Sequence, residues 1–372
     1  MNIIKLSFLF VAAVCFSQNG NLKNPLQLTL PGEIYAVQDV EMSIYFDNVV
    51  LTKTPEKYRF EVNCKIGKVE QCRWRVTPKD SEVGRHQLTI KVSSHDGKRI
   101  ASRSTTLNVV PKNTGAKRKI RLLIVGDSLT HGTQYPNGIG RLLSLPENPE
   151  WQMLGTHKPK SAGKGVAHEG YGGWTWSRFN SYYESEPRKD GRKHHSPFVY
   201  SEGVGKPRLN IGRFLKEECG NKPPDFVIIM LGINDCFSAP ADNPSGIDTR
   251  IDTMFKQADI LVAAFRKAAP QVEIGICLTT PPNSREAAFT ANYRGRYPRW
   301  GWKQIQHRLV QRQLGKFVNG RGNRIFIIPT QLDLDPIDGY PENNGVHPNA
   351  IGYKQIGTTI YAWLKWRFAK RG

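Results

Sequence analysis

The pattern of apolar and polar positions changes once along the chain. Within residues 26–111, apolar and polar residues alternate in short runs at 28–30, 42–46, 58–62, 72–76, 86–92 and 105–109. Alternation at period two gives a strand one buried face and one wet face. Turn residues separate the runs, and His95-Asp96-Gly97-Lys98 is the strongest such signal. With no helical period among them, these runs predict a small, Ig-like all-β sandwich. Residues 112–119 (KNTGAKRK) are polar and basic, and read as a linker. Beyond them, 120–125, 226–231, 272–278 and 324–329 are near-continuous apolar runs. Such runs suit parallel strands covered on both faces. Helical patterns over 247–269, 303–318 and 350–368 complete an alternation that predicts a doubly wound α/β domain over 120–372.

The N-terminus reads as a targeting segment. Lys5 precedes an apolar stretch over 6–16, and Cys15-Phe16-Ser17 sets small residues before Gln18. This predicts a secretory signal over 1–17, cut near Ser17/Gln18, and a secreted or periplasmic protein. No apolar run beyond it reaches the ~20 residues of a membrane helix. The remainder keeps Cys64, Cys72, Cys219, Cys236 and Cys277. This odd number excludes complete pairing within one chain. Cys64 and Cys72 flank a hairpin and could pair in an oxidising compartment. Cys277, inside an apolar run, reads as a buried free thiol. The formal charge of +21 suits a basic surface or an anionic substrate. No nucleic-acid module accompanies it, so a nucleic-acid partner is not expected.

In doubly wound sheets, ligands sit beyond the carboxyl ends of the strands. Four motifs fall there. Gly126-Asp127-Ser128-Leu129 follows the first apolar run, where a serine in a strand-to-helix turn presents its oxygen. His168-Glu169-Gly170-Tyr171-Gly172-Gly173 supplies glycines that let backbone N–H groups approach a ligand. Leu231-Gly232-Ile233-Asn234-Asp235 offers an amide donor for an oxyanion. Asn344-Gly345-Val346-His347-Pro348-Asn349 places a candidate general base before the last helix.

In this order, the four blocks resemble those of the SGNH hydrolases, the GDSL esterase family, over about 120–368. The resemblance implies a flavodoxin-like parallel sheet and a serine esterase that needs no metal or cofactor. It implies Ser128 as nucleophile and His347 as base. It also implies an oxyanion hole from the backbone N–H groups of Ser128 and Gly173 with the Asn234 side chain. One position departs from the family pattern. Asn344 stands where the family has an aspartate, and an amide brings no charge to the imidazole. Asn344 could orient His347 itself, a backbone carbonyl could do so, or Glu342 or Asp338 could supply a carboxylate.

Asp127, Arg294, Arg299 and Trp300 are the candidate substrate contacts, since arginines pair with carboxylate or sulfate and aromatic faces stack on sugars. The expected substrate is an acyl ester, acetyl first, on a carbohydrate such as an acidic polysaccharide. A lipid-directed esterase (lysophospholipase or thioesterase) and a degenerate glycan-binding protein are the alternatives. His194-His195 lacks a suitably spaced acidic or Cys partner for a metal site.

Overall fold

The computed structural model describes residues 26–370 except 190, 202, 204 and 318–323. The expected signal over 1–17 lies outside these residues.

The N-terminal region is a β-sandwich. One sheet orders the strands Glu33–Val37, Arg99–Val110, Gly84–Ser93 and Arg59–Asn63; the other orders Met42–Tyr45, Arg73–Val76 and Lys68–Val69. Their inward residues, among them Ile34, Ile44, Trp74, Ile90 and Leu107, form one core. The Glu33–Val37 strand pairs in parallel with Arg99–Val110. The alternating stretch 28–30 is not a strand. Leu28, Thr29 and Leu30 are all buried, so the stretch is covered on both sides without joining a ladder. Cys64 and Cys72 are free thiols, and Cys277 is free and buried.

The C-terminal region is the doubly wound α/β domain. Its parallel sheet runs Glu169–Gly170, Lys119–Gly126, Phe226–Met230, Glu273–Cys277 and Ile325–Ile328. Glu150–Leu154 pairs with the first half of Lys119–Gly126, and Glu169–Gly170 with its end, so two short pieces share one edge position. This is the flavodoxin-like order. Every residue of Phe226–Met230 and Glu273–Cys277 is buried, as expected for strands covered on both faces. One helix layer pairs Gln134–Leu143 with Ala350–Lys370; the other groups Pro244–Ala268 with Ile211–Glu218 and Arg299–Phe317. Asn243 caps Pro244–Ala268, with proline at its first position.

The two regions are packed into each other. Leu332, from the loop after Ile325–Ile328, is fully buried within the sandwich core cluster. Buried Asn48 donates its amide to Leu334 O at 2.7 Å. The Tyr35 ring rests on Trp366 at 4.6 Å between centroids. The stretch expected as a linker is tied down as well: Lys365 Nζ donates to Lys112 O at 2.6 Å.

Candidate active site

The ends of three adjacent strands assemble the site, since Gly126 pairs across the sheet with both Gly170 and Met230. After Gly126 the chain turns directly into the Ser128–His131 helix. A Cβ on Gly126 would lie 1.9 Å from Thr130 Oγ1, so only glycine permits this turn. Asp127 caps the helix, its Oδ1 accepting from Leu129 N at 3.0 Å. Ser128 is therefore the first helical residue, and its backbone N–H has no acceptor within the helix.

His347 is held by an asparagine on each side. Asn349 Oδ1 accepts from Ile351 N at 2.9 Å and caps the last helix. Asn344 Oδ1 accepts from Val346 N at 3.0 Å and His347 N at 2.9 Å. This local turn sets His347 Nε2 2.8 Å from Ser128 Oγ and Nδ1 3.3 Å from Asn344 Oδ1. With Nδ1–H donating to Asn344, Nε2 presents a lone pair to the hydroxyl. Glu342 and Asp338 are both exposed, and Asp338 lies 3.8 Å from Arg285. The contact at Nδ1 is thus the neutral amide. Burial pushes the His347 pKa below its ordinary 6.5.

A testable consequence concerns the missing charge. Asn344→Asp retains the acceptor for both backbone N–H groups and adds a carboxylate at Nδ1. A negative neighbour favours imidazolium, so the acid limb of kcat/KM should move to higher pH. In the native protein that limb should lie below 6.5. A charge-assisted bond exceeds a neutral one by about 1 kcal/mol, so kcat should rise about fivefold. A pH–rate profile unchanged by Asn344→Asp would contradict this geometry.

Gly232, with φ of 129°, opens the short Ile233–Cys236 helix that carries Asn234. Asn234 Nδ2 donates to Trp174 O at 3.0 Å, and Asp235 Oδ1 accepts from Trp176 N at 3.2 Å. These two bonds dock the Gly172–Gly173 turn against Asn234. Gly173 is exposed in the left-handed region at φ of 75°, and a Cβ there would meet open space. The conformation, not crowding, therefore demands glycine. Nucleophilic attack at Ser128 with a developing oxyanion among Ser128 N–H, Gly173 N–H and Asn234 is chemistry this arrangement can serve. Asp127 and Asp235 are each pushed up to about 7 by burial, and Asp235 adds to the shift of Asp127. Near neutral pH they carry less negative charge beside that oxyanion than two ordinary aspartates would.

The expected substrate contacts fall in different settings. Asp127 is only 1% exposed and caps the nucleophile's helix, so its carboxylate faces the protein interior rather than a ligand. Arg294 is exposed at the end of the Glu286–Tyr293 helix, whose Asn292 Nδ2 reaches Asn344 Oδ1 at 3.4 Å. Arg299 is largely covered, its Nε 3.6 Å from Glu286 Oε2. Trp300 is half-buried, with Lys53 Nζ 5.2 Å from its ring centre. Tyr293 and Tyr297 form an aromatic group with Phe237, which follows the Asn234 helix.

Sequence reading missed an imidazole stack beside the Gly170 strand end. His157 stacks on His131 and packs at a 52° tilt against His168, each at 4.9 Å between ring centres. His168 Nε2 lies 3.0 Å from Thr133 Oγ1, and His131 Nδ1 3.2 Å from Gly170 O. Burial pushes His168 down to about 3, so the ring is neutral. The three histidines are too far apart in sequence for spacing to suggest the stack. No group of three side chains able to hold a metal occurs among the described residues. Cavities of about 720 and 700 Å³ lie between the sandwich and the α/β domain, and neither is lined by Ser128 or His347. The hydrogen-bonded serine and histidine, not cavity size, identify the candidate site.

The model of the GDSL-like lipase/acylhydrolase family matches residues 124–355. No curated protein matches the chain. Among solved structures, a Clostridium thermocellum family 3 carbohydrate esterase is similar, at 18% identity and a TM-score of 0.41, covering 68% of this chain and 100% of its own. A family 3 carbohydrate esterase from Talaromyces cellulolyticus is similar at 17% identity and a TM-score of 0.42, covering 68% of this chain and 99% of its own.

Proposed function

The chain belongs to the GDSL-like lipase/acylhydrolase family and is an SGNH ester hydrolase, and on that premise we propose that it deacetylates carbohydrate, with Ser128 as nucleophile and His347 as base. The observation that carries the reading is the 2.8 Å contact between Ser128 Oγ and His347 Nε2. Ser128 Oγ attacks the acyl carbon while His347 Nε2 takes its proton. The carbonyl oxygen gains negative charge and accepts from the N–H groups of Ser128 and Gly173 and from Asn234 Nδ2. Collapse breaks the ester C–O bond, and His347 returns the proton to the leaving sugar hydroxyl. Water, deprotonated by the same imidazole, then releases acetate from Ser128. Asn344 Oδ1 orients the ring and stabilises imidazolium through a dipole rather than a charge. No metal or cofactor takes part.

The substrate class rests on the surface beside Asn344. Arg294 and Arg296 are exposed, and Arg296 lies over the Tyr297 ring at 5.2 Å. Aromatic faces and guanidinium groups together suit sugar rings bearing carboxylate or sulfate. Arg299, held by Glu286, and Trp300, half-buried under Lys53, lie next in the chain but are less open to a ligand. The segment 1–17 would export the enzyme to such a polymer.

The test is a series of p-nitrophenyl esters from acetyl to palmitoyl, followed by acetate release from acidic and neutral acetylated glycans. Activity should be greatest on acetyl and fall with chain length. Arg294→Ala should raise KM about fivefold on the acidic glycan, as expected for an exposed charge pair worth about 1 kcal/mol, and leave the neutral glycan unchanged. A preference for long acyl chains would replace the carbohydrate reading with a lipid-directed one.

A further inference from the structure

The sandwich reaches the loop that carries His347. Its short Phe46–Val49 helix projects Asp47 onto the α/β domain. Asp47 Oδ2 accepts from Ser284 Oγ at 2.7 Å. Asp47 Oδ1 lies 3.2 Å from Nζ of Lys303, and the Asp47 backbone carbonyl accepts from the same ammonium. Lys303 is 1% exposed and the Asp47 side chain 15% exposed, so the ion pair is largely shielded from water and its charged hydrogen bond holds its geometry.

Ser284 belongs to the loop after Glu273–Cys277, and that loop is stitched to the His347 loop over its length. Ser284 N donates to Pro336 O at 2.7 Å, and Asn283 N to Gly345 O at 3.0 Å. The fully buried Asn283 side chain donates to Pro341 O at 2.9 Å and Asn344 O at 3.0 Å. Arg285 Nη1 donates to Ile337 O at 2.7 Å. A second set of bonds arrives from neighbouring sandwich residues. Ser43 N donates to Asp333 Oδ1 at 2.6 Å, and Tyr45 N to Leu332 O at 3.0 Å. The chain from 332 to 345 is therefore held at its start by the sandwich directly, and at its end through Ser284 and Asn283.

We propose that the sandwich completes the active site: Asp47, acting through Ser284 and Asn283, is a positioning residue that keeps the Asn344–His347 turn in register with Ser128. Asn344 gives His347 a neutral rather than an ionic partner, so less of the imidazole's orientation comes from its own hydrogen bond. A rigid loop supplies the remainder. This inference rests on the esterase reading for its catalytic consequence, but the bracing itself is read independently of activity.

The experiment compares native protein with Ser284→Ala, Ser284→Thr and Asp47→Asn. Amide hydrogen exchange is followed for peptides spanning 332–347, and kcat and KM are measured on p-nitrophenyl acetate. Ser284→Ala removes one hydroxyl and leaves the Lys303–Asp47 pair intact, so folding is retained. Exchange over 332–347 should quicken about tenfold in Ser284→Ala, with other segments unchanged, and at least as much in Asp47→Asn, which also loosens the segment around Lys303. kcat should fall threefold to tenfold at constant KM, and Ser284→Thr should retain native values of both. Unchanged exchange in that segment, or quickened exchange with native kcat, would overturn the proposal. Native protein inert on every ester, with quickened exchange in the variants, would uphold the bracing and overturn the functional reading instead.

Discussion

Ser128→Ala is expected to lower kcat for ester hydrolysis by ~10⁴-fold or more, the scale seen when a serine hydrolase loses its nucleophile. The reason is geometric. Ser128 Oγ meets His347 Nε2 at 2.8 Å, and among the described residues no other hydroxyl hydrogen-bonds to that imidazole. Asp127 and the backbone cap of the helix do not involve the Ser128 side chain. Its removal should therefore leave the melting temperature within a degree or two of native. Substrate affinity should also survive, because the Gly173 and Asn234 donors remain. The check is a matched pair of rate and thermal-unfolding measurements on native protein and variant. A loss under tenfold in a folded variant would remove Ser128 from the mechanism.

The second large effect concerns stability. Leu332 belongs to the α/β domain by sequence, yet it is fully buried in the core of the sandwich. Leu332→Ala deletes its contacts and leaves a cavity between two regions that cannot easily collapse around it. Buried Leu→Ala changes cost about 2–5 kcal/mol, and about 3 kcal/mol is expected here. Adjacent bonds share the interface: Tyr45 N donates to Leu332 O, and Asn48 Nδ2 to Leu334 O. The native protein should therefore unfold in one transition, seen alike by calorimetry and by urea titration. Leu332→Ala should shift that transition markedly. A loss below 1 kcal/mol, or two native transitions far apart, would show that the sandwich is merely tethered.

Legibility in the sequence followed the range of the interaction concerned. The parallel strands were visible because their cover on both faces leaves almost no polar residue within Phe226–Met230 or Glu273–Cys277. Ser128, Asn234 and His347 were visible because local turns at strand ends carry recognisable residues. Elements with mixed composition were missed. Glu150–Leu154 has an exposed, half-polar beginning at the sheet edge, and Glu169–Gly170 is two residues long. The stretch 28–30 misled in the other direction, since Leu28 and Leu30 are buried without strand partners. Buried Asp127 shows a further limit: a carboxylate beside a nucleophile reads as a substrate contact, whereas its hydrogen bond to Leu129 N makes it a helix cap. The links from Asp47 to Ser284 and Lys303 span 237 and 256 residues. No periodicity or spacing rule reaches that far, so the sandwich's part in the site became visible only in three dimensions.

The central claim is that Ser128 carries the acyl group between the two half-reactions. Its most direct test mixes native protein with p-nitrophenyl acetate, quenches in acid within the first turnovers, and measures peptide masses after proteolysis. The account predicts one acetyl group on the peptide containing Ser128, appearing with the first equivalent of p-nitrophenol and absent in Ser128→Ala. Turnover without acetylation of that peptide, or acetyl carried on another residue, would contradict it.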